Sequence, residues 1–232
     1  RLEPRDGDGV SRVGGVDQAQ QLDHLGHVGV VASRTRGSLI GAMDRRTLGW
    51  RTSHPWVTGG LRITRAALDE VERLARVGYA ADEEVCGVLT GPSHEPLLCD
   101  GVTPIENIAR SLHESDPVRH FHTARTFFAF YARTLERVME VTEDAGCPAK
   151  VLYHSHLDGS AILSATDRAV LSRGIAPASA GAPARIGPGP DWPLAFLVAS
   201  VVRGTDAAPS IDEHRLYVWG SEGFEGSTFE VL

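Results

Sequence analysis

From Leu61 onward, the chain alternates between short apolar runs and stretches whose apolar residues recur every three or four positions. Residues 61–63, 85–90, 97–102, 151–153, 192–202, 214–219 and 227–231 are the short runs and read as strands, with 227–231 as an edge. Thr64 is a good helix cap, and Leu68, Val71, Leu74 and Ala75 carry an apolar stripe to about Val77, where Gly78 reads as the stop. Thr123 is expected to cap the longest helix, which runs to Ala145 ahead of Gly146 and Pro148. Phe127, Tyr131, Leu135, Val138 and Thr142 form its core-facing stripe, broadened by Phe128, Phe130 and Met139. Residues 106–120 read as a polar, irregular stretch that could contact substrate. Residues 173–191, dense in Gly, Ala and Pro, read as a mobile loop, either a flap over bound substrate or a passive surface loop. This order predicts a layered α/β domain, a curved mixed sheet flanked by helices.

Composition narrows the class. Residues 1–55 are rich in Arg, Asp, Gly and Gln, and the apolar patch at 28–32 is too short for a secretory core. A disordered N-terminal extension is expected there, with the folded domain over 56–232. The net charge of −7, without a basic stripe, argues against nucleic acid as the main partner. Three cysteines, Cys86, Cys99 and Cys147, with no metal-type cluster suggest a reducing, cytoplasmic setting. No apolar run approaches the ~20 residues of a membrane helix.

The densest candidate chemistry lies in residues 151–171, VLYHSHLDGSAILSATDRAVL. Alternate residues on a strand share a face, so His154 and His156 project together and Ser155 faces away. Gly159 permits the turn that follows. Ser164 and Asp167 have capping-box spacing, and Asp167 would sit at a positive helix end that favours its ionised form. Taken separately, Ser164 with Asp167 is an ordinary helix cap, and the two histidines are an ordinary strand end. Neither reading explains why both features fall within fourteen residues. Two imidazoles and a carboxylate are the protein ligands of a catalytic zinc site, which leaves the fourth position for water. The segment points to a zinc hydrolase. His120 and His122 alternate in the same way and form a rival pair. Lacking a carboxylate and a serine at useful spacing, they read as part of a surface strand or loop.

A zinc-bound water needs a base. Glu84 opens the apolar run at 85–90, and Glu83 beside it is a second candidate; on a strand the two would face opposite sides. Glu84-Val85-Cys86-Gly87, followed at distance by His-Ser-His-x7-Ser-x-x-Asp, resembles the JAMM (MPN+) zinc metallopeptidases in their compact bacterial form, over residues 57–232. The resemblance implies Glu84 as general acid/base, His154, His156 and Asp167 as zinc ligands, and Ser164 as a helper at the oxyanion. It favours Glu84 over Glu83 and implies a sheet like that of cytidine deaminases. Cys86, in an apolar strand, reads as packing rather than as a nucleophile. Leu157 and Leu163 stand where the family often has proline, which bears on loop shape rather than on ligands. The implied reaction is hydrolysis of a peptide or isopeptide bond following the C-terminal diglycine of a ubiquitin-like or sulfur-carrier protein. Two alternatives stay open: a deaminase-like zinc amidohydrolase, whose His-x-Glu and Pro-Cys-x-x-Cys are missing here, and a non-catalytic MPN scaffold, against which the intact ligand set speaks.

Overall fold

A computed structural model describes residues 45–205 and 208–232. Residues 1–44, with the leader-like patch at 28–32, lie outside the described residues. In chain order, α1 (Arg45–Ser53) and a short 3-10 turn (Pro55–Thr58) lead into β1 (Leu61–Ile63), α2 (Arg65–Ala81), β2 (Cys86–Thr90), β3 (Leu98–Cys99) and β4 (Gly101–Ile105). Next come α3 (Ala109–Ser115), α4 (Ala132–Asp144), β5 (Ala149–Leu157), α5 (Ala165–Leu171), β6 (Ala195–Arg203), β7 (Pro209–Trp219), β8 (Phe224–Ser227) and β9 (Phe229–Val231).

Six strands form the main sheet in the order β4-β2-β5-β6-β7-β8. Only β5 and β6 run parallel; the other neighbours are antiparallel. A small parallel sheet, β3-β1-β9, lies beside it. Alternation along β5 sorts its residues between two cores. Val151 and Tyr153 pack with Leu68 and Val71 of α2, and Leu152 packs with Leu135 of α4 and Leu171 of α5. The architecture is the expected α/β domain, a mixed sheet with flanking helices. No helix among the described residues is long and apolar enough to cross a membrane.

Four local readings change. Residues 45–55, assigned by composition to the extension, are ordered: Thr47 is buried and Trp50 packs on the α2-side core. Helix α2 runs through Gly78 and ends at Asp82, the left-handed C-cap. Gly78 is required by close approach instead, since a Cβ there would stand 2.5 Å from Val85 Cγ1 and 2.6 Å from the Glu83 carbonyl oxygen. The expected 97–102 strand is two strands in different sheets, and Pro104 is tolerated because β4 is an edge. The helix expected from Thr123 begins only after Tyr131, and the 106–120 stretch contains α3. Residues 124–126 make a turn and 127–130 an irregular segment, because tertiary hydrogen bonds occupy their backbone: Glu84 N–H donates to Ala124 O (2.7 Å) and Ile108 N–H to Ala129 O (2.9 Å).

Lys150 is fully buried on β5, where its ammonium donates to the carbonyls of Pro92, Glu95 and Leu98 at 3.0, 2.8 and 2.7 Å. All three of its protons are therefore satisfied. Lys150→Met keeps the length but leaves three carbonyls without that donor. It is expected to destabilise the fold by roughly 2–5 kcal/mol in urea unfolding, with amide exchange accelerated first around residues 91–98.

Candidate metal centre

Strand β5 lies between β2 and β6 and carries both histidines near its end. Ser155, pointing away from them, is fully buried. Its Oγ accepts the Val85 N–H and its own N–H donates to Val85 O, both at 2.9 Å. This bridge extends the ladder one step past the Cys86–His154 pair. Glu84 consequently falls opposite His156, on the same face as both imidazoles.

The chain then turns over the sheet through residues 158–164. Asp158 takes a left-handed φ of 52°. Ser200 Oγ donates to Gly159 O (2.6 Å), Tyr217 Oη donates to Ala161 O (3.0 Å), and Ala161 and Leu163 are buried in the core. Leu163, in place of the family's common proline, anchors the turn by packing. Ser164 is thereby delivered to the N-cap of α5. The capping box is complete: Ser164 Oγ accepts Asp167 N–H at 3.0 Å, and Ser164 N–H donates to Asp167 Oδ2 at 2.7 Å. That box aims the Asp167 carboxylate across the helix end towards β5.

Three ligand-type atoms converge there. His154 Nε2 and His156 Nε2 are 3.1 Å apart, and Asp167 Oδ2 lies 3.8 and 3.4 Å from them. Tetrahedral zinc with ligand bonds of about 2.0–2.1 Å requires donor–donor edges of roughly 3.3–3.4 Å, so the triangle has the size of a zinc face. The tautomers agree with it. His156 Nδ1 faces the Ser160 carbonyl at 2.8 Å, which can only accept, so the proton sits on Nδ1 and the Nε2 lone pair faces inward. An inward lone pair on His156, with the His154 Nε2 and a buried carboxylate beside it, suits a cation. The residues present fit the metal, and among the described residues no other His/Cys/Asp/Glu group does.

Electrostatics follow from burial and these contacts. Burial lowers the His154 pKa and outweighs the Asp167 interaction, which favours neutral imidazole. For His156, burial also pulls the pKa down, but the adjacent Asp167 carboxylate prevails and the net shift is upward. Burial alone would raise Asp167, yet the His154 and His156 rings beside it hold it well below the usual carboxylate range. Glu84 is buried, and burial, reinforced by the Asp167 charge, pushes its pKa well above the ordinary value. Glu83 turns the other way and pairs with Arg110 at 3.3 Å.

The remaining sequence candidates fall into place around this centre. Ser164 is exposed at the rim, beside the ligand triangle. Cys86 is fully buried, with burial raising its thiol pKa and Ile105 O within 3.5 Å of its Sγ. Its inertness as packing agrees with the sequence reading. His122 stacks on Phe127 (5.3 Å between centroids) and lies outside the ligand triangle, while His120 offers its carbonyl to His113 Nδ1. Two neighbours of the centre were not singled out in the sequence. Phe128 stacks on His154 at 4.3 Å, and Asn107 binds the Glu84 backbone at 2.8 Å. Its spacing places Phe128 in a helix stripe that does not form, and nothing in the spacing ties Asn107 to Glu84. The 173–191 loop is tied at its base by Gly187 N–H to Ser172 Oγ (2.8 Å) and an Ile175–Arg185 bridge.

The sequence signature of the prokaryotic homologs of the JAB domain matches residues 64–213. A desampylase from Haloferax volcanii is 33% identical over 113 residues, covering 47% of this chain and 70% of that protein. Two solved structures align with 74% of the chain. One is a solution structure of a protein from Desulfitobacterium hafniense (15% identity, 92% of that chain, TM-score 0.47). The other is a JAB1/MPN domain protein from Archaeoglobus fulgidus (14% identity, 99% of that chain, TM-score 0.38). Because the signature spans well over half the chain and encloses Glu84, His154, His156, Ser164 and Asp167, the protein belongs to the prokaryotic JAB-domain group of the JAMM/MPN family.

Proposed function

We propose that the protein is a zinc-dependent peptidase that cleaves the peptide or isopeptide bond following the C-terminal diglycine of a ubiquitin-like or sulfur-carrier protein. The observation that carries this reading is the ligand triangle with buried Glu84 on its own face of the sheet. Zinc bound by His154, His156 and Asp167 would supply Lewis acidity and a water made acidic enough to ionise near neutral pH. Glu84 takes a proton from the attacking water, holds it in a buried carboxyl group and passes it to the leaving amine. Its raised pKa suits both halves of that transfer. Ser164 Oγ already accepts from Asp167 N–H, so its own O–H remains available to donate to the developing oxyanion.

Similarity to a desampylase supports a ubiquitin-like protein as the substrate. A diglycine tail suits a narrow cleft because a chain without side chains passes where others clash. The cysteines Cys86, Cys99 and Cys147 are unpaired, which supports a cytoplasmic setting. The catalytic unit in this reading excludes most of residues 1–55.

The direct test is zinc content together with release of a reporter peptide fused after the Gly-Gly of a ubiquitin-like carrier. Release that a chelator abolishes and zinc restores is expected. Zinc binding without release would redirect the reading to an amidohydrolase, and neither would leave a scaffold. Ser164→Ala is expected to lower kcat by roughly a hundred- to a thousand-fold with KM little changed. Because Ser164 also caps α5, the same variant should lose about 0.5–2 kcal/mol in thermal unfolding.

A further inference from the structure

Glu84 lies just before β2, beyond the paired strand residues, so the sheet ladder does not hold its own peptide groups. They are held from elsewhere. Its N–H donates to Ala124 O at 2.7 Å, and its carbonyl accepts Asn107 Nδ2 at 2.8 Å. Asn107 uses its whole amide in this place. Nδ2 also donates to Phe127 O (3.1 Å), and Oδ1 accepts Ala109 N–H and Ala129 N–H, each at 3.0 Å. Two donors face two carbonyls and one oxygen faces two N–H groups, so the amide orientation is unambiguous. The side chain links the approach to β2, the start of α3 and the segment at 127–129, whose Phe128 stacks on His154.

We propose that Asn107 is a positioning residue that fixes the aim of the Glu84 carboxylate, an inference that rests on Glu84 acting as the acid/base. The Ala124 contact restrains the peptide before the Glu84 Cα, and the Asn107 contact restrains the one after it. Together they fix the direction in which Cβ leaves the backbone. A carboxylate oxygen stands roughly 4 Å from its Cα, so a tilt of about 15° displaces it by about 1 Å, a misplacement able to cost on the order of a hundredfold in rate. The close packing of Gly78 against Glu83 and Val85 leaves little room for Glu84 to compensate by sliding.

Asn107→Asp tests this because aspartate keeps the oxygen that accepts from Ala109 and Ala129 but presents a second oxygen to the Glu84 and Phe127 carbonyls. Rates on the diglycine-carrier fusion are measured per bound zinc, beside wild type and Glu84→Gln, with the visible spectrum of the cobalt-substituted protein reporting ligand geometry. The expected result is full metal occupancy, an unchanged cobalt spectrum, KM within twofold and kcat lowered ten- to a hundredfold. Asn107→Ala, which removes all four bonds without adding repulsion, should show the same kcat-specific loss. Wild-type kcat in either folded, metal-loaded variant overturns the proposal. So does loss of metal or of fold in both, which would mark Asn107 as a structural tie only. Retained turnover in Glu84→Gln would instead overturn the acid/base assignment itself, whatever the Asn107 variants do.

Discussion

Glu84→Gln is expected to abolish turnover while leaving zinc in place. Glutamine keeps the size of the side chain and can still form hydrogen bonds, but it neither takes nor returns a proton near neutrality. General acid/base catalysis typically contributes 10²–10⁴-fold, and the loss should fall at or above the upper end because one residue serves both proton transfers. The three ligand-type side chains are untouched, so metal content should stay at wild-type stoichiometry. Stability should move the other way. Burial and the Asp167 charge raise the folded-state pKa of Glu84 above its unfolded value, so ionisation works against folding. Stability from this residue is therefore full below the unfolded pKa and is lost as pH rises towards the folded one. In chelated protein at pH 7, Glu84→Gln should be more stable than wild type, with the difference vanishing in acid. Urea unfolding at two pH values checks the sign. An inactive variant that is no more stable would mean that the carboxylate is better solvated than its burial indicates.

Asp167→Asn is expected to lose zinc and activity while keeping the helix. Asparagine can still accept the Ser164 N–H, so the cap survives and the melting temperature of the chelated protein should shift by only a few degrees. The anionic ligand is gone, however. Metal affinity should fall by more than the roughly 10–100-fold typical of losing a mere supporting group. Titration with zinc against a chromophoric chelator measures it. Retained affinity would show that Asp167 serves only as a cap, the ordinary reading of the Ser164–Asp167 pair. The same geometry sets a pH dependence. His156 has a raised pKa and must be neutral to bind, so metal uptake releases a proton and zinc affinity should weaken as pH falls through that raised value. In chelated protein, Asp167 is depressed and stabilises above its unfolded pKa near 3.9, whereas His156 stabilises below about 6.5. The pair therefore contributes most between those limits. It is lost in acid as Asp167 protonates and in base as His156 releases its proton.

The ligand-type residues were legible because each rests on local geometry. His154 and His156 alternate on a strand, and Ser164 and Asp167 share a capping box; neither depends on distant chain. The same holds for α2, whose Thr64 cap and apolar stripe are contained in one segment. The fold departs from the local pattern where a distant partner decides the backbone. The aromatic positions at 127–130 have helical spacing, but Asn107, Glu84 and Ile108 claim the hydrogen bonds a helix would need. Gly78 looks like a stop signal, yet it serves the approach of Val85, seven residues on. Asn107 shows the sequence only its local contact with Ala109, because its other three partners lie on two distant stretches of chain.

By itself, the sequence determined the ligand-bearing strand, the capped helix that follows it and the alternation between two buried faces, since periods of two and 3.6 residues are properties of the local backbone. Only the tertiary structure decided that the strand end and the helix end meet within ligand distance, and that Glu83 turns away to pair with Arg110. Those outcomes depend on β2–β5 register and on turn 158–164 being anchored through Ser200 and Tyr217. Such contacts join residues far apart in the chain, where hydrophobic period carries no information about which partners will meet.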